Sequence, residues 1–185
     1  MDLMTVLAKN FPNVIAHVTG AGASYTDLVW EGGSPLPTEE QLLEAHVKDH
    51  KENKILELSN ACAQDIISGF ISTALGTEHM YDSDAVDQLN IVGSYVATTP
   101  DANNPQGSQT YHATRRIING VLQMKEYKLH DNVQMKKVVL DGVAFKLAKL
   151  TRFNTMRNDL LTNTERTDAQ IDAITWKDGI PGVVV

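Results

Sequence analysis

The feature that most constrains this chain is a long stretch without a strong helix breaker. No proline occurs between Pro37 and Pro100. Thr38 and Gln41 match a helix-capping box, in which two side chains satisfy the first free backbone N–H groups of a helix. The sequence therefore predicts a long helix near 38–75, about 55 Å in length at 1.5 Å per residue, with Gly69 as its weakest position.

The middle of this predicted helix is wholly polar. No apolar residue occurs from Lys48 to Lys54, whereas apolar residues are frequent on both sides of that segment. A polar segment of this length is not buried. We therefore expect the helix either to bridge two packing regions or to be interrupted by a loop, and we take 48–54 as a candidate boundary.

A second long helix is predicted near 132–161. Its apolar residues recur at spacings close to a heptad, which is typical of helices that pack along a seam. The pattern indicates a first half packed in a core and a second half with a narrower stripe. The residues of this pattern are Met135, Val138, Phe145, Phe153, Met156 and Leu160.

Shorter elements are predicted from capping residues, turns and alternating apolar positions. Asp82, Ser83 and Asp84 are expected to open a helix whose apolar stripe consists of Val86, Leu89, Val92 and Val96. The others are an opening helix over 3–11, a β-hairpin over 14–18 and 25–30, an extended piece over 78–81, a surface loop over 98–114, a strand within 120–129 and a short helix over 167–176 capped by Thr167.

These elements predict an α+β fold that is mainly α. It comprises a small N-terminal β-hairpin, two long helices with seam-like stripes and short strand pieces between them. The expected division is a unit over 1–37, a helical domain over 38–176 and an apolar C-terminal extension over 177–185 that docks on a partner.

Composition bears on location and on partners. The formal charge of -7 argues against a general binder of nucleic acid or anionic membrane, because such binders need dense Lys and Arg. Neither a signal peptide nor a membrane span is evident. The single cysteine, Cys62, stands between two alanines and is expected to be a buried thiol in a protein that folds in a reducing cytoplasm.

The sharpest pattern that could carry chemistry is His46-Val47-Lys48-Asp49-His50. Two histidines four residues apart lie on one face of a helix, as a zinc pair requires. Asp49 stands where an inverted zinc-protease motif has a glutamate, although it is one methylene shorter. Because the sequence identifies no third ligand, we interpret His46 and His50 as exposed histidines, and we assign no metal or other cofactor.

Asp82, Asp84 and Asp87 form a second cluster, which could hold a hard cation such as Ca²⁺. The cluster lacks the glycine turn and the terminal glutamate of an EF-hand loop. The favoured interpretation is structural: Ser83 or Asp84 caps the helix and the carboxylates stabilise its positive end.

Other catalytic signatures are missing, and a non-enzymatic protein is expected. The sequence has no glycine-rich phosphate loop, no Gly-x-Ser-x-Gly elbow and no pair of cysteines at metal-ligand spacing. The first long helix is locally acidic and the second locally basic, which favours charge complementarity between them over a nucleic-acid surface.

Large apolar residues are therefore interpreted as packing or partner-binding anchors. Trp30 and Trp176 each end an apolar run, and the chain ends in three valines. The expected partner-interface residues are Trp30, Met135, Val138, Phe145, Phe153, Met156, Leu160, Val183, Val184 and Val185.

Several segments together resemble a domain of unknown function found in bacteriophage tail-fibre and tail-fibre assembly proteins. The resemblance extends from Tyr25 to Trp176 and rests on short motifs. They are Tyr25–Trp30 followed by Pro37–Leu43, then Leu75–Asp84 followed by Gln88–Asn90, then Asp141–Lys146 within a long helix, and a closing segment at Ile171–Trp176.

This resemblance implies a tail protein without assigned catalytic residues. The leading expectation is a structural subunit of the baseplate or a tail-fibre adaptor, made in the host cytoplasm and retained in the virion. It would form homo-oligomers and bind tail-fibre and baseplate proteins. A tail-fibre assembly chaperone that leaves the particle is the alternative, and a metal-dependent hydrolase of the cell envelope, resting on His46 and His50 alone, is the third possibility.

Overall fold

A computed structural model describes residues 2–19, 24–32 and 35–179. The chain forms two compact units. Unit 1 combines residues 1–58 with 156–185, and unit 2 comprises residues 59–155. The predicted domain ranges 1–37, 38–176 and 177–185 stay predictions.

Unit 1 begins with a capped helix and a β-hairpin. Helix α1 (Leu3–Asn10) is capped by Asp2, whose carboxylate accepts hydrogen bonds from the backbone N–H groups of Met4 and Thr5. Strands β1 (Ile15–Val18) and β2 (Leu28–Gly32) pair antiparallel, which confirms the predicted hairpin. The core of this part consists of Leu3, Val6, Leu7, Leu28 and Leu42.

Helix α2 (Glu39–Ile67) begins at the predicted capping box. Thr38 donates its backbone N–H to the Gln41 side chain at 2.8 Å, and Gln41 returns the bond to Thr38 Oγ1 at 3.2 Å. The helix is continuous through its polar segment, where Asp49 lies 2.6 Å from Lys9 Nζ. Ion pairs thus accommodate charged residues of this segment. Of the two alternatives, the interruption of the helix by a loop is wrong.

The predicted end of this helix at residue 75 is wrong. Helix α2 ends at Ile67, and Gly69 adopts φ +103° before strand β3 (Phe70–Ser72). A Cβ atom on Gly69 would lie 2.7 Å from the backbone oxygen of Tyr81. The glycine therefore permits both the reversal of the chain and the close approach of a neighbouring strand.

Unit 2 contains an antiparallel sheet that is larger than predicted. Strands β3, β4 (His79–Tyr81) and β5 (Thr110–Ile118) are adjacent. Strand β5 also pairs with β6 (Val121–Leu122) and β7 (Glu126–His130). The extended piece at 78–81 is thus confirmed, whereas the predicted strand at 120–129 consists of two pieces.

Strand β5 occupies part of the segment that was predicted to be a loop. Its inward-facing positions include His112 and Thr114, which are 8% and 1% exposed. A strand whose buried side chains are polar lacks the apolar alternation that identifies strands in a sequence. This explains why the segment 110–114 resembles a surface loop in the sequence.

Two helices complete unit 2. Helix α3 (Ala85–Thr98) has Asp84 as its N-cap, as predicted. Helix α4 (Asn132–Thr162) supplies its first part to unit 2 and its last turns to unit 1. The core of unit 2 includes Phe70, Tyr81, Ile91, Met135 and Val138.

The C-terminal part of unit 1 is anchored by large buried side chains. Helix α5 (Asp168–Asp172) is capped by Thr167, as predicted, and Thr167 forms a capping box with Gln170. The helix ends at Asp172, so its predicted extension to Trp176 is wrong. Met156, Leu160, Ile171 and Ile174 are all fully buried.

The α+β class is confirmed, with 52% helix and 19% strand. The description as two long helices with short strand pieces is too simple. The described residues form five helices and a curled sheet whose strands come from both halves of unit 2.

We predict that Gly69→Ala lowers the free energy of unfolding by about 1–3 kcal/mol, because alanine is strained at positive φ and its Cβ meets the Tyr81 carbonyl. Urea denaturation measures this loss. Gly93→Ala is the matched control, because Gly93 lies within α3 with open space around its Cβ position. That variant should be unchanged or more stable by up to about 1 kcal/mol. Equal stability of Gly69→Ala and wild type would contradict the prediction.

Candidate functional site

Unit 1 brings two histidines of α2 to the first turn of α5. His46 and His50 are separated by one helical turn, so their imidazoles lie on the same face, with ring centroids 6.0 Å apart. Asp168 is the first residue of α5, and Asp172 lies one turn later on the same helix. These four residues form the histidine–aspartate cluster.

One carboxylate bridges both imidazoles. Asp168 Oδ2 lies 2.8 Å from His46 Nε2, and Asp168 Oδ1 lies 2.9 Å from His50 Nδ1. The other ring nitrogen of His50, Nε2, lies 2.9 Å from Asp172 Oδ1. The histidine side chains are 20% and 21% exposed, so the cluster is accessible at its edge while most of each ring is covered. The interpretation of His46 and His50 as exposed histidines is therefore wrong.

His50 and the neighbouring carboxylates stabilise each other's charged forms. Burial of the His50 ring opposes its protonation, but hydrogen bonds to Asp168 and Asp172 outweigh burial and raise the pKa of His50. The hydrogen bonds of Asp168 to His50 and His46 lower the pKa of that carboxyl. His46, His50 and Asp168 offer ligand atoms within 4.8 Å of one another, and theirs is the one such group that the described residues contain.

Asp49 is not part of this cluster. Its carboxylate lies 2.6 Å from Lys9 Nζ and 2.8 Å from Asn10 Nδ2. Burial of Asp49 acts to raise its pKa, but the hydrogen bonds from Lys9 and Asn10 lower it overall. Asp49 therefore forms an ion pair with Lys9 of α1. It does not occupy the position of the catalytic glutamate of a zinc protease.

The second predicted cluster is held by cations and by a helix terminus. Asp82 pairs with Arg115 and Lys125, each at 2.5 Å, and Asp84 accepts a hydrogen bond from the backbone N–H of Asp87 at 2.8 Å. Burial and the neighbouring carboxylates of Asp84 and Asp82 raise the pKa of Asp87. This arrangement agrees with the structural interpretation.

Cys62 is buried, as predicted. It is 3% exposed, and burial raises the pKa of its thiol. A protonated, covered thiol is a poor nucleophile. Cys62 is therefore a packing residue.

Four of the predicted interface residues are core residues. Met135, Val138, Met156 and Leu160 are each 0% exposed, so they cannot contact a partner, and their assignment to an interface is corrected. Their heptad-like spacing reflects packing within the chain.

Of the other predicted interface residues, three are half-buried and three lie outside the described part of the chain. Trp30 is half-buried and packs against the core of unit 1, while Phe145 is half-buried and has its ring centroid 6.3 Å from that of Phe70. Phe153 is also half-buried. Val183, Val184 and Val185 lie outside the described residues.

A different apolar stripe of α4 is exposed. Leu140, Val143, Leu147 and Leu150 are 57%, 59%, 62% and 39% exposed, and we call them the α4 stripe. Their spacings of three, four and three residues follow the heptad pattern of a coiled coil. The spacing was present in the sequence, but a helix with two apolar faces does not show which of them is buried.

Helix α3 also exposes its apolar side. Val86, Leu89, Val92 and Val96 are 64%, 73%, 52% and 64% exposed, and we call them the α3 stripe. The buried side of α3 includes Ile91 and Thr98. The four residues of the predicted stripe do lie along one side of α3. That side faces away from the core of unit 2.

A buried aromatic and histidine network lies within unit 2. His130 Nδ1 lies 2.8 Å from the Lys128 carbonyl oxygen, which can only accept, so Nδ1 carries the proton and Nε2 accepts from the Tyr81 hydroxyl at 2.8 Å. Burial raises the pKa of Tyr81 to about 12. Burial also lowers the pKa values of His112 and His130. Tyr81 and His130 are thus hydrogen-bonded to each other, whereas His112 packs its ring against both and has its Nδ1 3.2 Å from Ser94 Oγ.

Comparison of the chain with protein-family models, with curated proteins and with solved structures gave no match. None of the helices in the described ranges has the length and apolarity needed to cross a membrane.

The buried histidines predict a pH dependence of stability. An unfolded histidine takes up a proton near pH 6.5, whereas folded His112 and His130, with lowered pKa values, do not. Their contribution is therefore present above about pH 6.5 and falls with decreasing pH, by up to about 1.4 kcal/mol per pH unit and histidine.

Urea denaturation at pH 7.5, 6.0 and 5.0 measures this dependence. His50 has a raised pKa and acts in the opposite sense, so the informative quantity is the difference between wild type and His112→Gln. The variant should lose less stability than wild type between pH 7.5 and 5.0. Equal losses would show that His112 becomes protonated without unfolding.

Proposed function

We propose that this chain is a structural component of a bacteriophage tail, at the baseplate or as a tail-fibre adaptor, and that it acts by binding proteins rather than by catalysis. The observation that carries the proposal is the exposed α4 stripe. Four large apolar residues at heptad spacing on one helix form a surface that is typical of self-association. The resemblance of residues 25–176 to phage tail proteins supplies the setting.

The occupant that best fits the α4 stripe is a second copy of the same helix. In heptad terms, Leu140 and Leu147 are at a positions, and Val143 and Leu150 are at d positions. In a parallel register, Lys146 at g would face Thr151 at e of the neighbouring helix, so like charges would not oppose each other there. Leucine at a with β-branched Val143 at d favours assemblies of more than two helices.

The α3 stripe offers a further apolar surface for a different partner. Its residues recur at intervals of three and four along one side of the helix, the arrangement by which an amphipathic helix enters an apolar groove. A fibre or baseplate protein with such a groove is the partner we propose. Val92 of the α3 stripe and Val143 of the α4 stripe line one pocket, so a partner on α3 would lie beside the α4 seam.

A tail-fibre assembly chaperone remains the alternative, because it would use the same surfaces and then leave the particle. The hydrolase possibility is weaker. It requires a general base beside a metal, and Asp49, the residue at that place in the sequence, is engaged by Lys9 and Asn10.

The first prediction is that the chain is present in purified phage particles in amounts comparable to the fibre protein. Quantitative mass spectrometry of washed particles measures this ratio. The matched comparison is the lysate from which the particles were purified. Reproducible absence from particles, together with failed fibre assembly when the gene is deleted, would favour the chaperone.

The second prediction concerns self-association. Leu147→Glu should shift the purified protein from an oligomer to a monomer, because it places a charge in the centre of the seam, and it should keep the fold because Leu147 is 62% exposed. Size-exclusion chromatography with light scattering measures the mass. The control is Ala148→Glu, an exposed position of α4 beside the stripe, which should remain oligomeric. A monomeric wild type, or an oligomeric Leu147→Glu variant, would contradict the proposed seam.

A further inference from the structure

We propose that His46, His50 and Asp168 form a zinc-binding site and that Asp172 orients His50 within it. This site is independent of the α3 and α4 stripes and goes beyond the proposed structural role. All four residues belong to unit 1, where α2 contributes the two imidazoles and α5 contributes the two carboxylates.

The first argument is the geometry of the three ligands. Zinc binds imidazole nitrogen and carboxylate oxygen at about 2.0–2.2 Å, so two ligand atoms of a tetrahedral site lie about 3.4 Å apart. In the structure, Asp168 lies 2.8 and 2.9 Å from the two imidazoles, and the ligand atoms all lie within 4.8 Å of one another. To reach this spacing, Asp168 must move away from each imidazole by about half an ångström, and the most distant pair of ligand atoms must approach by up to about 1.4 Å.

The second argument is the contact on the far side of His50. A histidine that ligates zinc through one ring nitrogen generally donates the other N–H to a carboxylate, which fixes the tautomer and the ring orientation. His50 Nε2 lies 2.9 Å from Asp172 Oδ1, while His50 Nδ1 faces Asp168. The outer support of a zinc ligand is therefore present in the structure.

The ligand chemistry selects the metal class. Two imidazoles and one carboxylate suit zinc and other late first-row metals, whereas Mg²⁺ and Ca²⁺ prefer sites built of oxygen. The histidine side chains are 20% and 21% exposed, so water can complete the coordination of the metal. Three protein ligands with one further position for water match the ligand number of an open zinc site.

The positions of the ligands in the chain indicate what the metal does. His46 and Asp168 are separated by 122 residues, and His50 and Asp168 by 118. A metal at this point joins α5 to α2 and so stabilises the folded form of unit 1, because the unfolded chain does not hold these ligands together. We infer that zinc secures the C-terminal part of unit 1.

The test is isothermal titration calorimetry of the full chain, purified without a histidine tag and treated with a chelator, against ZnCl₂. We expect one zinc ion per chain and an increase in the thermal midpoint of unfolding. His50→Ala and Asp168→Asn should each weaken zinc binding by at least about a hundredfold, because they remove a ligand. Titration with MgCl₂ should give no binding.

His17→Ala is the matched control. His17 also pairs with a carboxylate, with Nδ1 lying 2.8 Å from Glu31 Oε1, but it has no second histidine beside it. This variant should bind zinc like wild type. Asp172→Asn keeps all three ligands and should bind one zinc about ten- to a hundredfold more weakly.

Circular dichroism separates loss of the site from loss of the fold. The His50→Ala, Asp168→Asn and Asp172→Asn variants should keep the helical signal of wild type. If a ligand variant unfolds, Asp172→Asn decides the question, since it changes affinity without removing a ligand. The proposal is overturned if wild type binds no zinc, or if His50→Ala and Asp168→Asn bind it as tightly as wild type and His17→Ala.

Discussion

A helix provides partners for its own backbone N–H and C=O groups, and both compact units depend on this property of α2 and α4. Each helix begins in one unit and ends in the other. Helix α2 stays regular through its polar segment because Asp49 and Lys54 are paired with Lys9 and Glu57. The pair His46 and His50, like the α4 stripe, exists only because the helical spacing is unbroken.

Features marked by local chemistry could be predicted from the sequence. The capping boxes at Thr38 and Thr167, the N-cap at Asp84 and the N-terminal hairpin are all set by a few neighbouring residues. Strand β5 could not be predicted, because its buried positions hold polar side chains. The end of α2 at Ile67 was also missed, since a single glycine can be tolerated within a helix or can end it, and the approach of Tyr81 decides between the two.

The histidine–aspartate cluster and the α4 stripe could likewise be predicted only in part. The helical pair of His46 and His50 was evident, but no spacing in the chain connects it to Asp168 more than a hundred residues later. On α4 the apolar residues were recognised, yet two faces competed for the core. The fold buries the face with Met135 and Met156 and leaves Leu140 and Leu147 exposed. Periodicity identifies candidate faces, and only tertiary packing selects among them.

The two units differ in when all of their residues become available during synthesis, because unit 2 is one segment and unit 1 is two. Unit 2 is one continuous segment, so all of its residues have left the ribosome before the last part of α4 emerges. Unit 1 combines two segments. The cluster of Leu3, Val6, Leu7, Leu28 and Leu42 lies wholly in the first segment, whereas Ile171 and Ile174 are synthesised more than a hundred residues after that segment. A truncated chain that lacks α5 would therefore retain this N-terminal cluster but leave unit 1 without the buried side chain of Ile171.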